Sequence, residues 1–258
     1  MRRLLSIVGA RPQFVKAAEL HRALGERAAH RLLHTGQHYD TAMSRVFFEQ
    51  LGIPEPEANL GIGGGAHGEQ TSRMTQAIER ELIARRPDAV VLYGDTNSTL
   101  AGALAAAKLQ IPIAHVEAGM RSFRKAMPEE VNRVLCDHCS TWLFCPTQRA
   151  VANLLREGFS QEGAAPPSAD RPRVLLTGDL MLDSALRHAA IAQERSDALQ
   201  RLGLLPEGFL LATVHRDFNV DDAMRLRAIL EALSSLAGET GLPVILPAHP
   251  RLRARLND

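Results

Sequence analysis

Asp88-Ala-Val-Val-Leu-Tyr-Gly-Asp-Thr-Asn-Ser-Thr99 and Ile111-Pro-Ile-Ala-His-Val-Glu-Ala-Gly-Met-Arg-Ser122 decide the fold of this chain. Each string opens on a short apolar run and closes on a carboxylate, Asp95 in the first and Glu117 in the second. Between them Leu100 to Leu109 is rich in Ala and Leu and reads as a helix. The order is strand, helix, strand, with an acid just past the C-terminal end of each strand. Buried parallel strands read as near-continuous apolar runs, and open α/β sheets bind ligands at that C-terminal edge. Carboxylates gathered there suit proton transfer.

Working outward, further apolar runs fit buried strands at Leu4–Val8, Arg31–Leu33, Ala89–Tyr93, Ile111–His115, Trp142–Cys145, Val174–Leu176, Phe209–Thr213 and Pro243–Leu246. Helical stretches alternate with most of them. Pro12 suits a first helical turn, with Ala17, Leu20 and Leu24 on the apolar face. Thr71 to Ala84 places Met74, Ala77, Ile78 and Leu82 on one face. Pro128 opens another helix with Glu129 and Glu130 in its first turn, where carboxylates suit the dipole, and Val131, Val134 and Leu135 are its expected core stripe. Alternation of this kind predicts a doubly wound α/β sheet. A polar, Pro-rich stretch at 159–172 reads as an exposed boundary, giving an N-terminal domain over 1–168 and a second over 173–258. The second is short for a Rossmann-like unit and reads as incomplete.

The chain has 258 residues and a formal net charge of +1, so no global field favours nucleic acid or anionic membrane. One Trp and two Tyr leave few stacking platforms for single strands. No apolar stretch reaches transmembrane length, and the start, Met1-Arg-Arg-Leu-Leu-Ser-Ile-Val-Gly9, is too short for an export signal. A cytoplasmic protein is expected, with neither membrane nor nucleic acid as partner. Cys136-Asp-His-Cys139 has metal-ligand spacing, with Cys145 beyond it. A helical setting and the lack of a second pair argue instead for buried thiols, so no metal is expected.

The groups able to do chemistry fall at the predicted sheet edge. Arg11 and Lys16 follow the first strand at a helix start, where cations and N–H groups can grip an anion. Asp95 could equally cap the helix after it, and Glu129 could merely serve the helix dipole. His215 follows another apolar run. Each has a structural explanation singly; together they gather acids, a histidine and cations at one edge.

These residues lie in strings that resemble the non-hydrolysing UDP-N-acetylglucosamine 2-epimerases. The strings are 9–16 (Gly-Ala-Arg-Pro-Gln-Phe-Val-Lys), 35–40 (Thr-Gly-Gln-His-Tyr-Asp), 94–99, 115–122, 127–133 (Met-Pro-Glu-Glu-Val-Asn-Arg) and 212–219 (Ala-Thr-Val-His-Arg-Asp-Phe-Asn). The resemblance implies two Rossmann-like domains of the GT-B type, with a nucleotide sugar in the cleft. It also implies a reaction in which UDP is eliminated across C1–C2 to 2-acetamidoglucal and adds back with the opposite configuration. Asp95, Glu117 and Glu129 match the family's catalytic carboxylates, His215 a histidine near the diphosphate, and Arg11 and Lys16 the basic pair of the first loop. Gln37 and His38 match a loop that in some members helps bind a second, activating UDP-sugar. No cofactor is implied, and a homodimer is expected.

Three departures bear on the expectation. The string 121–130 is shorter than in the best-known bacterial enzymes and closer to members acting on diacetamido-uronic sugars. Asp179 stands where the family usually carries Asn. Family members continue past His249-Pro-Arg-Leu with a Ser-Gly-Gly segment that contacts the nucleotide, so a C-terminally truncated chain is expected. The rivals are a GT-B glycosyltransferase, a hydrolysing epimerase, and a chain that binds without turning over.

Overall fold

The structure is a computed structural model of the chain and describes residues 1–37, 45–161, 165–214, 217–248 and 250–256. It divides into two compact units, Met1–His188 and Ala189–Asp258. In chain order the elements are β1 (Arg2–Val8), α1 (Arg11–Leu24), β2 (Ala28–His34), α2 (Arg45–Leu51), β3 (Ala58–Asn59), α3 (His67–Arg85) and β4 (Ala89–Tyr93). There follow α4 (Asn97–Lys108), β5 (Ile113–Val116), α5 (Pro128–Cys139), β6 (Trp142–Cys145), α6 (Gln148–Arg156), β7 (Arg173–Leu176) and α7 (Leu180–Arg195). Beyond them lie α8 (Ala198–Arg201), β8 (Leu210–Leu211), α9 (Asp217–Val220), α10 (Ala223–Thr240), β9 (Val244–Ile245) and α11 (Pro250–Leu256).

Among the described residues seven strands form one sheet in the order β3-β2-β1-β4-β5-β6-β7, with every pairing parallel. The chain winds from β1 outward to β3 and then crosses to the other side at β4, so the strand order reverses between β1 and β4. The crevice outside the carboxyl ends of those two strands is where such sheets take ligands. Alternate strand residues supply the two faces. Leu5, Ile7, Val90, Leu92 and Ile113 meet Met74, Ile78 and Leu82 of α3, and the small residues Ala101 and Ala105 of α4. Val8, Leu32, Val91 and Tyr93 meet Phe14, Ala17 and Ala18 of α1 on the other face. Met74, Ile78 and Leu82 are fully buried at the expected helical spacing, each stabilising the fold by about 1.5–3 kcal/mol. Gly102 explains how α4 settles so closely: a Cβ there would lie 2.7 Å from Leu92 and 3.1 Å from Ile7.

Two expectations are corrected. The polar stretch at 159–172 does not end the first unit. β7 lies beyond it, pairs along Trp142–Cys145 of β6, and buries Val174 against Leu143 and Leu154. Backbone pairing and burial hold it to the large sheet, and the first unit runs to His188. On α5 the expected core stripe is largely turned out: Val131 and Leu135 are 41% and 43% exposed, while Glu130, Asn132, Cys136 and Asp137 are buried. The inward face of α5 puts Cys136 into the apolar cluster against the sheet, while Glu130 and Asp137 meet the backbone N–H groups of the loop 119–123, so hydrogen-bonding groups belong there.

The second unit holds the parallel pair β8–β9 and a small core of Val214, Val220, Leu226 and Leu252. Among the described residues no helix is long and apolar enough to cross a membrane.

Candidate active site

Gln13 ties the two loops at the reversal point together. Its Oε1 accepts from the N–H of Gly9 at 2.7 Å and of Ala10 at 3.1 Å, while its Nε2 donates to the Tyr93 carbonyl at 2.7 Å. The same amide nitrogen reaches Thr99 Oγ1 at 3.0 Å. Gly9 leaves room for this junction, since a Cβ there would collide with the hydroxyls of Ser98 and Thr35. Those hydroxyls bond each other at 2.7 Å. Gln37 Oε1 accepts from the Ser98 N–H at 2.9 Å and from its hydroxyl at 2.6 Å, satisfying an N-terminal donor of α4.

Asp95 and Glu117 sit at the ends of the adjacent strands β4 and β5, each with its own cation. Lys16, from the second turn of α1, pairs with Glu117. Arg133, from α5, pairs with Asp95. Lys16 is 8% exposed and Glu117 25%, so the lysine lies beneath and the carboxylate faces outward. Gly94 lies under this pair: with φ 62° it turns the chain, and a Cβ on it would stand 3.0 Å from Glu117 Oε2. Glu117 itself has φ 69°, a left-handed conformation that an L-residue adopts only when its surroundings enforce it. Asp95 is not the cap of α4. Thr96 takes that place, accepting from the Thr99 N–H at 3.3 Å.

α5 supplies the wall on the Asp95 side. Asn132 donates to the Asp95 carbonyl at 2.9 Å and to Asn97 at 3.2 Å. Asn97 in turn donates to Gln70 at 2.7 Å. Glu130 accepts from the N–H and hydroxyl of Ser122 and the N–H of Phe123, each at 2.9 Å. Burial works against its charge, and these donors together with Arg133 outweigh it, holding its pKa below the usual carboxylate range.

Beneath Glu117 lies a second polar group. His115, fully buried in β5, places Nδ1 2.6 Å from Asp137 Oδ1 and Nε2 2.8 Å from the Gly94 carbonyl. Both partners only accept, so both ring nitrogens carry protons. Burial alone would lower its pKa; Cys136 and the Asp137 carboxylate reverse that and raise it well above the usual value. Asp137 Oδ2 takes the Gly119 N–H at 3.1 Å and Arg121 Nη1 at 2.7 Å. Arg121 also grips Glu157 through two bonds of 2.7 Å. Against burial, His115 and Arg121 keep the pKa of Asp137 low.

Of the expected site residues, the structure brings Asp95, Glu117 and Lys16 to one edge and places Gln37 beside the start of α4. Arg11 is exposed in the first turn of α1, and Glu129 is exposed in the first turn of α5. The adjoining Glu130, rather than Glu129, enters the buried network. His38 and His215 lie outside the described residues. Gln13, Arg133, Asn132 and the His115–Asp137–Arg121 group are additions. A signal for part of them was present: Glu130, Arg133 and Asp137 recur at three and four residues, a charged stripe along one helical face. Cys136 and Cys145 are buried and burial pushes the Cys145 thiol up to about 12. Among the described residues no group of three or more His, Cys, Asp or Glu is placed to hold a metal ion.

A family model described as UDP-N-acetylglucosamine 2-epimerase matches residues 22–258. The UDP-2,3-diacetamido-2,3-dideoxy-D-glucuronate 2-epimerase of Pseudomonas aeruginosa is 49% identical over 254 residues, covering 97% of this chain and 68% of the relative. The UDP-N-acetylglucosamine 2-epimerase of Methanocaldococcus jannaschii is 41% identical over 259 residues, covering 99% and 68%. A crystal structure of an M. jannaschii UDP-GlcNAc 2-epimerase in complex with UDP-GlcNAc and UDP superimposes with a TM-score of 0.83 at 41% identity, covering 99% of this chain and 68% of that one. The epimerase of Rickettsia bellii gives 0.81 at 32% identity, covering 100% and 65%. The chain thus spans about two thirds of the length of these relatives. With this fold and this coverage, the chain belongs to the UDP-N-acetylglucosamine 2-epimerase family.

Proposed function

We propose that the chain is a non-hydrolysing UDP-N-acetylglucosamine 2-epimerase, interconverting UDP-N-acetylglucosamine and UDP-N-acetylmannosamine. The observation that carries this reading is the pair of carboxylates, Asp95 and Glu117, at the ends of adjacent strands, each beside a partly buried or buried cation. Inverting C2 requires a proton to leave one face of the sugar and another to arrive on the opposite face. One carboxylate takes the C2 proton as the C1–O bond to UDP breaks, giving 2-acetamidoglucal. UDP then returns to C1 while C2 is protonated from the other side. Lys16 and Arg133 hold the two carboxylates in place, and the exposed Arg11 at the start of α1 is positioned for the departing diphosphate. No redox step occurs, and none of these steps uses a cofactor. Homodimer assembly and a cytoplasmic location belong to the same reading.

A second substrate is favoured by one observation. The relative acting on UDP-2,3-diacetamido-2,3-dideoxy-D-glucuronate is 49% identical, against 41% for the M. jannaschii enzyme. Incubation with each UDP-sugar in deuterated water, followed by proton NMR, separates the cases. Deuterium at C2 with the UDP linkage intact supports epimerisation and names the sugar. Release of free sugar would assign a hydrolysing enzyme instead, and bound UDP with no exchange on either sugar would overturn the catalytic reading. Glu117→Gln and Asp95→Asn are each expected to slow exchange by roughly 10²–10⁴-fold.

A further inference from the structure

Glu117 stands in a left-handed backbone conformation that nothing in its own side chain favours, so something outside it must enforce the turn. The residues on both sides are pinned. Val116 accepts from the Gly94 N–H at 3.0 Å, and the Ala118 N–H donates to the Phe144 carbonyl at 3.1 Å. Gly119, with φ 75°, is gripped from both sides of its peptide: Asp137 takes its N–H at 3.1 Å, and Asn153 donates to its carbonyl at 3.0 Å. Asp137 also holds His115 on the strand before Glu117 and Arg121 on the loop after it, at 2.6 and 2.7 Å. His115 extends the clamp to the Gly94 carbonyl, directly beneath the Lys16–Glu117 pair. One buried carboxylate therefore holds segments before and after Glu117 and reaches the glycine below it, without approaching the crevice itself.

We propose that Asp137 is a positioning residue for Glu117: with His115 and Arg121 it clamps the turn 117–119 and so fixes the direction in which the Glu117 carboxylate leaves the sheet. This rests on the reading of Glu117 as an acid–base group. A neutral side chain of the same shape cannot serve three donors of which two are cations. Asp137→Asn therefore releases either the histidine or the arginine, and the turn relaxes toward an ordinary backbone.

The test uses the full chain carrying Asp137→Asn. Calorimetry with UDP, exchange kinetics at C2 and a crystal structure of the variant are read together. The expected result is unchanged UDP affinity and KM, with kcat for exchange lowered on the order of 10²-fold, as for a small misplacement of a reacting group. Glu117 is expected to leave its left-handed conformation. Wild-type exchange rates in a folded variant, or a Glu117 that keeps its backbone and its Lys16 contact, would overturn the proposal. Should the unaltered chain exchange neither sugar, the epimerase reading fails, while the crystal structure of the variant still decides whether Asp137 positions Glu117. Should the variant fail to fold, nitrogen-15 NMR of the wild-type chain decides. Both His115 ring protons slow to exchange at neutral pH support the clamp, and a singly protonated ring overturns it.

Discussion

Gly119 is the residue on which the Glu117 turn depends, and its lack of a side chain can be tested directly. Its φ of 75° costs an L-residue about 1–2 kcal/mol. A Cβ there would also overlap the Ala150 carbonyl oxygen and stand 3.1 Å from Leu154 Cδ1. The backbone of α6 cannot swing aside as a side-chain tip could. Gly119→Ala is therefore expected to destabilise the chain by about 2–5 kcal/mol, the left-handed cost plus overpacking. Urea unfolding measures it, and an unchanged midpoint would mean that α6 yields. At this scale much of the site was legible. Asp95, Glu117 and Lys16 follow strand ends, a signal that needs only local sequence. Gln13 gave no such signal, because its decisive partner lies 80 residues away, and Asp137 was visible only as one member of the charged stripe of α5, its partner His115 lying 22 residues away.

At the scale of elements, strands buried on both faces read clearly: Ala89–Tyr93 and Trp142–Cys145 have the expected bounds. The failure at α5 has a physical cause. Apolar periodicity assumes that a helix turns its greasy stripe inward, and α5 instead packs its charged stripe onto loops whose backbone donors need acceptors. Glu130 shows what that packing does. Its two oxygens serve three donors on Ser122 and Phe123, so Glu130→Gln must set an amide N–H₂ against one of them. An unsatisfied donor costs about 1–3 kcal/mol when fully buried and less at these part-buried bonds, and the loop before α5 should loosen. Limited trypsin digestion reads this through the exposed Arg124 and Lys125. Faster cleavage there is expected in the variant, and identical cleavage patterns would show that the loop is held by other contacts.

For the whole molecule, the response to acid follows from histidines folded in neutral form. Under the sheet, Ser6 Oγ lies 2.7 Å from both His30 Nε2 and Tyr93 Oη, and His21 Nδ1 lies 3.1 Å from the other His30 nitrogen. Burial, then repulsion from His21, lowers the pKa of His30 from 6.5 to about 4. Burial also lowers His34. The unfolded chain thus takes up a proton near the ordinary histidine pKa while the folded one resists until about 4. Between these values the unfolded state binds more protons, so stability falls as the pH drops through that window. For His30 alone the loss by about pH 4.5 is roughly 2–3 kcal/mol. Glu130 and Asp137, with lowered pKa values, act at more acid pH, where protonation removes what their ion pairs contribute. His30→Gln keeps a partner for Ser6 and cannot titrate. Urea unfolding of both proteins at neutral pH and at about pH 4.5 should therefore show a drop shallower by that amount in the variant. Equal drops would place the acid sensitivity elsewhere than in the His30 ring and its contact with His21.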